Sequence, residues 1–361
     1  MGLIKKFENK IMKTIRIEDK LIGAENPCYT IAEAGANHDG ELNKAFKLID
    51  AAKAANADSI KFQTYKATEL VTKNAPKYWD DGIVNQTQYD VFKKLDLFEN
   101  DEWKQVFEYA KQKEITCFST PFDEKSVDLL YSIGVPAFKI ASADITHIPL
   151  IKHIASKHLP IFISTGMASD EDIKDAIDTI EDSGTSDIII MHCITSYPTK
   201  PEDANLQMIQ TLTQKFPDYV IGYSDHTIGT TIPVYSTFYG SKCIEKHFTF
   251  DSKLTESPDH RLSLDQEAFT KLVNELSIAK ISRGEPCRKK FDSEVESVKY
   301  ARRSIVSTRK IVQGTKITMD MLAMKRPGTG MSPKLLDKVI GSIAVKDIDE
   351  DIPIQEEYIS N

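Results

Sequence analysis

Residues 219–249 read YVIGYSDHTIGTTIPVYSTFYGSKCIEKHFT. Two apolar runs, Tyr219–Tyr223 and Cys243–Ile244, are each followed three residues later by a histidine, His226 and His247. In a parallel barrel the C-terminal tips of consecutive strands sit side by side on one face, so two imidazoles placed there can share one divalent ion. This pair of strand tips sets the frame for the rest of the chain.

Working outward, apolar strand-like runs begin near Cys28, Ser59, Ile115, Pro136, Pro160, Asp187, Tyr219 and Ser241, which makes eight. Segments with helical spacing alternate with them, such as Leu42, Ala45, Phe46, Ile49 and Ala52, or Ile173, Ala176, Ile177 and Ile180, the latter entered through Ser169 as N-cap. Eight strand–helix units in about 250 residues is the usual extent of a closed (β/α)8 TIM barrel. An open doubly wound sheet is the main rival. The first loop, Gly35-Ala36-Asn37-His38-Asp39-Gly40, has no GxGxxG fingerprint, which removes most of the support for a nicotinamide enzyme.

The chain has 361 residues, 41% hydrophobic and 28% charged, enough for one large core and a second small unit. No stretch has the apolar length needed to cross a bilayer. Cys28, Cys117, Cys193, Cys243 and Cys287 include no CxxC pair, so a zinc knuckle or disulfide framework is not expected and a reducing cytoplasm is. Glu8, Glu18 and Asp19 interrupt the N-terminal segment, which does not read as a signal peptide; Met12 is a candidate natural start. A net charge of −8 argues against nucleic-acid and anionic-membrane partners. An anionic substrate then needs a local cluster of cations. Lys61 lies in KFQT after the second strand and Lys139 in FKIAS at the fourth, with hydroxyls at Ser119-Thr120, Ser142, Ser164-Thr165 and Ser224. Ammonium groups plus short donors at one barrel mouth suit a small multiply charged anion such as a phosphorylated carboxylate.

The strings IAEAGANHDG (31–40), KFQTY (61–65), CFSTPFD (117–123), FKIASAD (138–144), STGM (164–167), CITSYPT (193–199), IGYSDHT (221–227) and EKHFT (245–249) resemble the sialic acid synthase family, in the family's order. That family makes N-acetylneuraminate and the bacterial nonulosonates legionaminate and pseudaminate. The tail, with RSIV (303–306), GTKIT (314–318), KRPGTG (325–330) and GSIA (341–344), resembles the small antifreeze-like SAF domain appended to these synthases. The expected division is an N-terminal extension and lead-in strand over 1–27, the barrel over 28–283, a charged linker over 284–302 and a β-rich SAF domain over 303–361. So small a domain has little core of its own. The resemblance implies that it reaches over the partner's barrel mouth in a domain-swapped homodimer.

What the resemblance implies chemically is condensation of phosphoenolpyruvate with N-acetylmannosamine or a related 2-acetamido sugar, releasing phosphate and a nine-carbon 2-keto acid. His226 and His247 match the family's metal ligands, usually for Mn²⁺, with Mg²⁺ or Co²⁺ tolerated. Glu33 matches a carboxylate that acts as general base or orients the attacking water. Asp144 stands where the family usually carries a glutamate, so its contact with the sugar is altered. Lys61, Thr120, Lys139, Ser142, Ser164, Thr195 and Ser224 match phosphoenolpyruvate contacts, and Gln63, Tyr197 and Asp259 match sugar-side positions. The loop before Asp259, Leu254-Thr255-Glu256-Ser257-Pro258, departs from the commoner Pro-Gly-x-Asp form. Arg326 matches the arginine that the small domain delivers to the sugar N-acyl group. His38, His147, His153, His158 and His192 read as structural, and His260 is open. The long connection over 66–100, carrying Tyr78, Trp79 and Tyr89, reads as a sugar-side cover.

Two other classes compete with this one. Other phosphoenolpyruvate condensers, such as octulosonate or heptulosonate synthases, lack the appended domain and the paired SDHT and EKHF strings. A non-catalytic binding protein on the same scaffold has no use for intact Glu33, Lys61, Lys139, His226 and His247.

Overall fold

A computed structural model describes residues 13–79, 85–254 and 257–360. The first unit, Met1–Gly284, is a closed barrel preceded by a hairpin. The hairpin pairs β1 (Thr14–Ile17) with β2 (Lys20–Gly23), where the sequence suggested a single lead-in strand. Eight parallel strands follow: β3 (Tyr29–Gly35), β4 (Ser59–Thr64), β5 (Thr116–Pro121), β6 (Phe138–Ile140), β7 (Ile161–Ser164), β8 (Ile188–Cys193), β9 (Val220–Asp225) and β10 (Cys243–His247). They are hydrogen-bonded in chain order, and β10 closes on β3. The rival open sheet is thereby excluded. Lys61 lies inside β4 rather than after it, a shift that sets its ammonium deeper in the barrel.

Helices cover the outside: α1 (Leu42–Ala54), α2 (Ala67–Leu70), α3 (Gln88–Leu95), α4 (Asn100–Gln112), α5 (Glu124–Ile133), α6 (Ile148–Ala155), α7 (Asp170–Asp182), α8 (Gln207–Lys215), α9 (Thr231–Phe238) and α10 (Gln266–Ser282). Ser169 caps α7 as expected: its hydroxyl accepts from the Asp172 amide while the Asp172 carboxylate accepts from the Ser169 amide. Buried aliphatic stripes such as Ile173, Ala176, Ile177 and Ile180 of α7 pack on the outward face of the strands.

The inward face changes character along its length. Near the strand starts it is apolar, with Tyr29, Ile31, Ile189, Val220 and the stacked pair Phe118 and Phe162, whose ring centroids are 5.2 Å apart. Ile15, Ile17 and Ile22 of the hairpin belong to the same cluster, so the hairpin plugs the bottom of the barrel. Further along the strands the inward face carries Glu33, Lys61, Lys139, Ser224 and Glu245 instead. The bottom is a packed core, and the mouth is where charge is buried.

The second unit, Glu285–Asn361, has its own small core of Ile305, Ile311, Ile317, Leu322, Val339 and Ile354, among others. It begins with α11 (Val295–Ala301), a helix inside the stretch read as linker. The Gly328 amide donates to the Lys299 carbonyl at 2.8 Å, which ties α11 to the KRPGTG turn. Hairpin strands β11 (Ser304–Ser307) and β12 (Leu322–Lys325), a short helix α12 (Leu336–Val339), and strands β13 (Ile343–Ala344) and β14 (Ile359–Ser360) complete it. No helix among the described residues is long and apolar enough to cross a membrane.

Candidate active site

Four buried charged side chains meet at the barrel mouth. Lys61 Nζ lies 2.6 Å from Glu33 Oε2 and 3.7 Å from Glu245 Oε2, and Lys139 Nζ lies 3.8 Å from Glu245 Oε1. The strand register dictates the meeting: Glu33 pairs with Lys61 on one side and with His247 on the other. Lys61 also donates to Thr120 Oγ1 at 3.0 Å, Gln63 Nε2 donates to Glu33 Oε1 at 3.0 Å, and Ser224 Oγ donates to Glu245 Oε1 at 3.0 Å.

Burial acts against every one of these charges, and the neighbours decide the outcome. Burial pushes the Glu33 carboxyl up to about 7, and the opposing pull of Lys61 does not cancel it. Burial also raises Glu245, but Lys139 and Lys61 outweigh it and hold that carboxylate below its usual range. Lys61 is driven down by burial and more than recovered by Glu245 and Glu33, so it is firmly protonated. Lys139 stays net lowered, because burial outweighs the pull of Glu245 and Lys61 repels it. One acid is therefore poised near neutrality beside a permanent cation.

Hydroxyls surround this group. Ser142 Oγ accepts from the Gly166 amide at 3.0 Å, and Ser164 Oγ and Thr195 Oγ1 are buried without a hydrogen-bond partner. A Cβ at Gly166 would stand 2.2 Å from Thr195 Oγ1 and 2.8 Å from Ser142 Oγ, so only glycine lets the STGM backbone come this close. Unpaired buried hydroxyls are uncommon, and two at one mouth suit a polar ligand.

His226 and His247 come together as the paired strand tips required, with ring centroids 5.3 Å apart and planes tilted by 49°. His226 Nδ1 bonds the Ile194 carbonyl at 2.7 Å, which leaves Nε2 for another partner. Although burial opposes its charge, the negative charge of an ionised Cys193 and the hydrogen bond to that carbonyl raise His226 to about 9. Burial, then His226 and the lysines, push His247 well down, so its imidazole is neutral; its Nδ1 makes no hydrogen bond and lies 3.7 Å from Asp259 Oδ2. Among the described residues no three His, Cys, Asp or Glu side chains converge as a closed metal cage. The donor set fits a divalent ion held by two imidazoles that fills its remaining positions with oxygens from water or substrate.

A cavity of about 410 Å³ opens above, lined by Gln63, Asp144, Thr195, Tyr197, His247 and Asp259 on its polar side. Burial pushes Asp144 up to about 6, and its Oδ2 has no hydrogen-bond partner. Burial likewise raises Asp259. Arg261, which the sequence reading passed over, also lines the cavity and donates to the Tyr197 carbonyl at 3.2 Å. Tyr78 and Trp79 of the long connection line it too, whereas residues 80–84 and the loop residues Thr255 and Glu256 lie outside the described residues. His260 is bonded to Thr249 Oγ1 at 2.8 Å and Asp39 Oδ1 at 3.1 Å, which makes it a brace for the loop after β10. Arg326 is exposed on the second unit. Glu245 was missed, yet the signal was present: it stands two residues before His247 on one strand, hence on the same face.

A family model described as NeuB family matches residues 48–288, and one described as SAF domain matches residues 302–359. The N,N'-diacetyllegionaminic acid synthase of Legionella pneumophila is 40% identical over 327 residues, 89% of this chain and 91% of that one. A pseudaminic acid synthase of Campylobacter jejuni is 34% identical over 325 residues, 89% of this chain and 93% of that one. Among solved structures, the N-acetylneuraminic acid (sialic acid) synthetase of Leptospira borgpetersenii superposes with a TM-score of 0.70 at 35% identity, covering 80% of this chain and 95% of that one.

Proposed function

This chain belongs to the NeuB family and is a synthase of the nonulosonate type, and from that premise we propose that it condenses phosphoenolpyruvate with an N-acetylated amino sugar such as N-acetylmannosamine or a 2,4-diacetamido-trideoxy-hexose. Water is the third reactant, and the products are a nine-carbon 2-keto acid and phosphate. The observation that carries the reading is the pairing of two buried ammonium groups, Lys61 and Lys139, with unpartnered hydroxyls beside two imidazoles.

Lys61, Lys139, Thr120, Ser142, Ser164, Thr195 and Ser224 hold the enol phosphate and its carboxylate, the lysines by charge and the hydroxyls by short donors. C3 of the enol then attacks the sugar aldehyde while water adds to C2, and the C–O bond to phosphate breaks. Glu33, raised toward neutrality, takes the proton of that water, with Gln63 fixing its other oxygen. Gln63, Tyr197, Asp144 and Asp259 orient the sugar so that the aldehyde faces C3. His226 and His247 would hold a divalent metal, most simply Mn²⁺, which when bound polarises the aldehyde oxygen. Arg326, supplied by a second copy of the chain in a domain-swapped dimer, binds the sugar N-acyl group.

The test is direct. Metal-stripped protein is mixed with phosphoenolpyruvate and an amino sugar, Mn²⁺ is restored, and phosphate is followed together with the destination of ¹⁸O from labelled water. Sugar-dependent phosphate and label at C2 of the keto acid are expected. Phosphate without sugar, or label in the phosphate, overturns the reading.

A further inference from the structure

A second buried ion pair stands beside the two imidazoles. Lys246 Nζ lies 2.6 Å from Asp225 Oδ2, and both side chains are fully buried. They are cross-strand partners, the last register pair between β9 and β10, and each is one residue before a histidine. Alternation turns them away from the face that Ser224 and Glu245 present to the mouth, and neither lines the cavity above it. β9 ends at Asp225, so His226 stands beyond the strand ladder and depends on other restraints. Ile194 and Thr199 supply two of them from the segment after β8: the Ile194 carbonyl bonds the ring at Nδ1, and the Thr199 amide donates to the His226 carbonyl at 2.9 Å. Lys246 supplies the others from β10. Its ammonium donates to the Asp225 carboxylate before His226 and to the Thr227 carbonyl after it. Asp225 Oδ1 also accepts from the Tyr223 hydroxyl at 2.9 Å and the Thr227 amide at 3.1 Å, while Oδ2 accepts from the Thr227 hydroxyl at 3.0 Å. Both neighbours of His226 are thereby tied to a side chain whose own next residue is His247.

We propose that Lys246 and Asp225 are positioning residues that set the separation of the His226 and His247 imidazoles for a divalent cation. The inference rests on the reading of those histidines as metal ligands and goes beyond it to the residues that space them. An ion pair buried this completely gains little stability over apolar side chains filling the same space. What it adds is geometric, because charge-assisted hydrogen bonds fix lengths and directions more narrowly than apolar contact does. Without the ammonium, the Thr227 carbonyl loses a donor and the Asp225 carboxylate loses its counter-charge. The restraint from β10 on His226 then goes, and the two rings, with centroids 5.3 Å apart, are free to part.

The experiment titrates the metal-stripped full chain with Mn²⁺ and counts the free ion by its electron paramagnetic resonance signal. Wild type is compared with His247→Ala, Lys246→Met, Asp225→Asn and Ile22→Ala. Ile22 packs at the barrel bottom, so its truncation lowers stability without touching the mouth. Residues that orient a metal's ligands are worth about 10–100-fold in affinity, and Lys246→Met should weaken Mn²⁺ binding by that much. Asp225→Asn should weaken it several-fold, and Ile22→Ala should leave it near wild type, with circular dichroism showing each fold retained. Asp225→Asn keeps an oxygen for Tyr223 and Thr227, so it carries the test alone if Lys246→Met does not fold. Mn²⁺ affinity that is unchanged in the Lys246 and Asp225 variants, or weakened no more than in Ile22→Ala, overturns the inference; a loss in His247→Ala then leaves the metal reading standing. Wild type that binds no Mn²⁺, or His247→Ala that binds it as well as wild type, overturns both.

Discussion

Lys61 and Glu33 form an ion pair of 2.6 Å between adjacent strands, each side chain only 2% exposed. A pair so deeply buried is a poor source of stability, since desolvation offsets most of the attraction. Its consequence is chemical: even with the ammonium beside it, burial lifts the Glu33 carboxyl to about 7. If Glu33 takes the proton of the attacking water, kcat/KM climbs as pH rises through about 7, where the carboxyl ionises. Glu33→Gln should lower kcat by roughly 10²–10⁴ and erase that limb. A limb persisting near 7 in the variant moves the base to another residue.

The imidazole pair makes a second prediction. A cation at His226 and His247 competes with protons, and His226 at about 9 stays protonated below that value. Mn²⁺ affinity, measured by titration of metal-stripped protein, should therefore rise with pH between 7 and 9. His247→Ala should weaken it by about 100-fold or more and abolish metal-dependent turnover, with thermal unfolding little changed. Unaltered Mn²⁺ binding in that variant places the ion elsewhere.

Gly166 offers a test by bulk alone. Its missing Cβ keeps the backbone amide within 3.0 Å of Ser142 Oγ, and a methyl there would collide with Thr195 Oγ1. Gly166→Ala must push the two hydroxyls apart, so KM for phosphoenolpyruvate should rise by about tenfold or more while the sugar KM moves less. Steady-state kinetics with each substrate varied in turn separates the two. Equal KM values for wild type and variant would mean that the Ser142 and Thr195 hydroxyls do not touch the enol phosphate.

The barrel was readable because parallel strands covered on both faces leave continuous apolar runs, and all eight predicted starts fall within two residues of the observed strands. The meeting of His226 and His247 was readable from the strand tips, whereas the depth of Lys61, inside β4 rather than after it, was not. Glu245 shows the limit of reading by residue type: it differs from a solvated glutamate only by its register beside Ser224 and between two lysines. The apolar lining of the cavity over the mouth was illegible for a different reason. Tyr65, Leu70, Phe92 and Phe122 come from four separate pieces around the long connection, and only tertiary packing brings them to one cavity. His260 was open because its partners, Thr249 and Asp39, are set by the fold rather than by spacing.

Asp144 connects the site to stability. Its carboxyl is raised by burial from 3.8 to about 6, so between those values the folded chain holds a proton that the unfolded chain has released. Stability from this group is undiminished below about 3.8, falls as pH rises toward about 6 and stays reduced above it. Asp144→Asn removes the penalty, so its advantage over wild type in urea unfolding should widen across that interval to about 3 kcal/mol. A difference that stays flat with pH would mean that the carboxyl is solvated in the folded chain.

Arg326 tests whether the site needs a second copy of the chain. It sits in the KRPGTG turn that α11 braces through Gly328, so Arg326→Ala should leave the small unit folded. An arginine that grips the sugar but not the reacting atoms affects binding more than chemistry, so the sugar KM should rise with kcat nearly kept. If it is delivered in trans, a protomer carrying Lys61→Met still has an intact Arg326 to lend, and a protomer carrying Arg326→Ala still has an intact barrel. Unfolding and refolding the two variants together should then produce mixed dimers whose activity at low sugar exceeds the average of the separate variants. Activity equal to that average would mean that each barrel relies on its own arginine or on none.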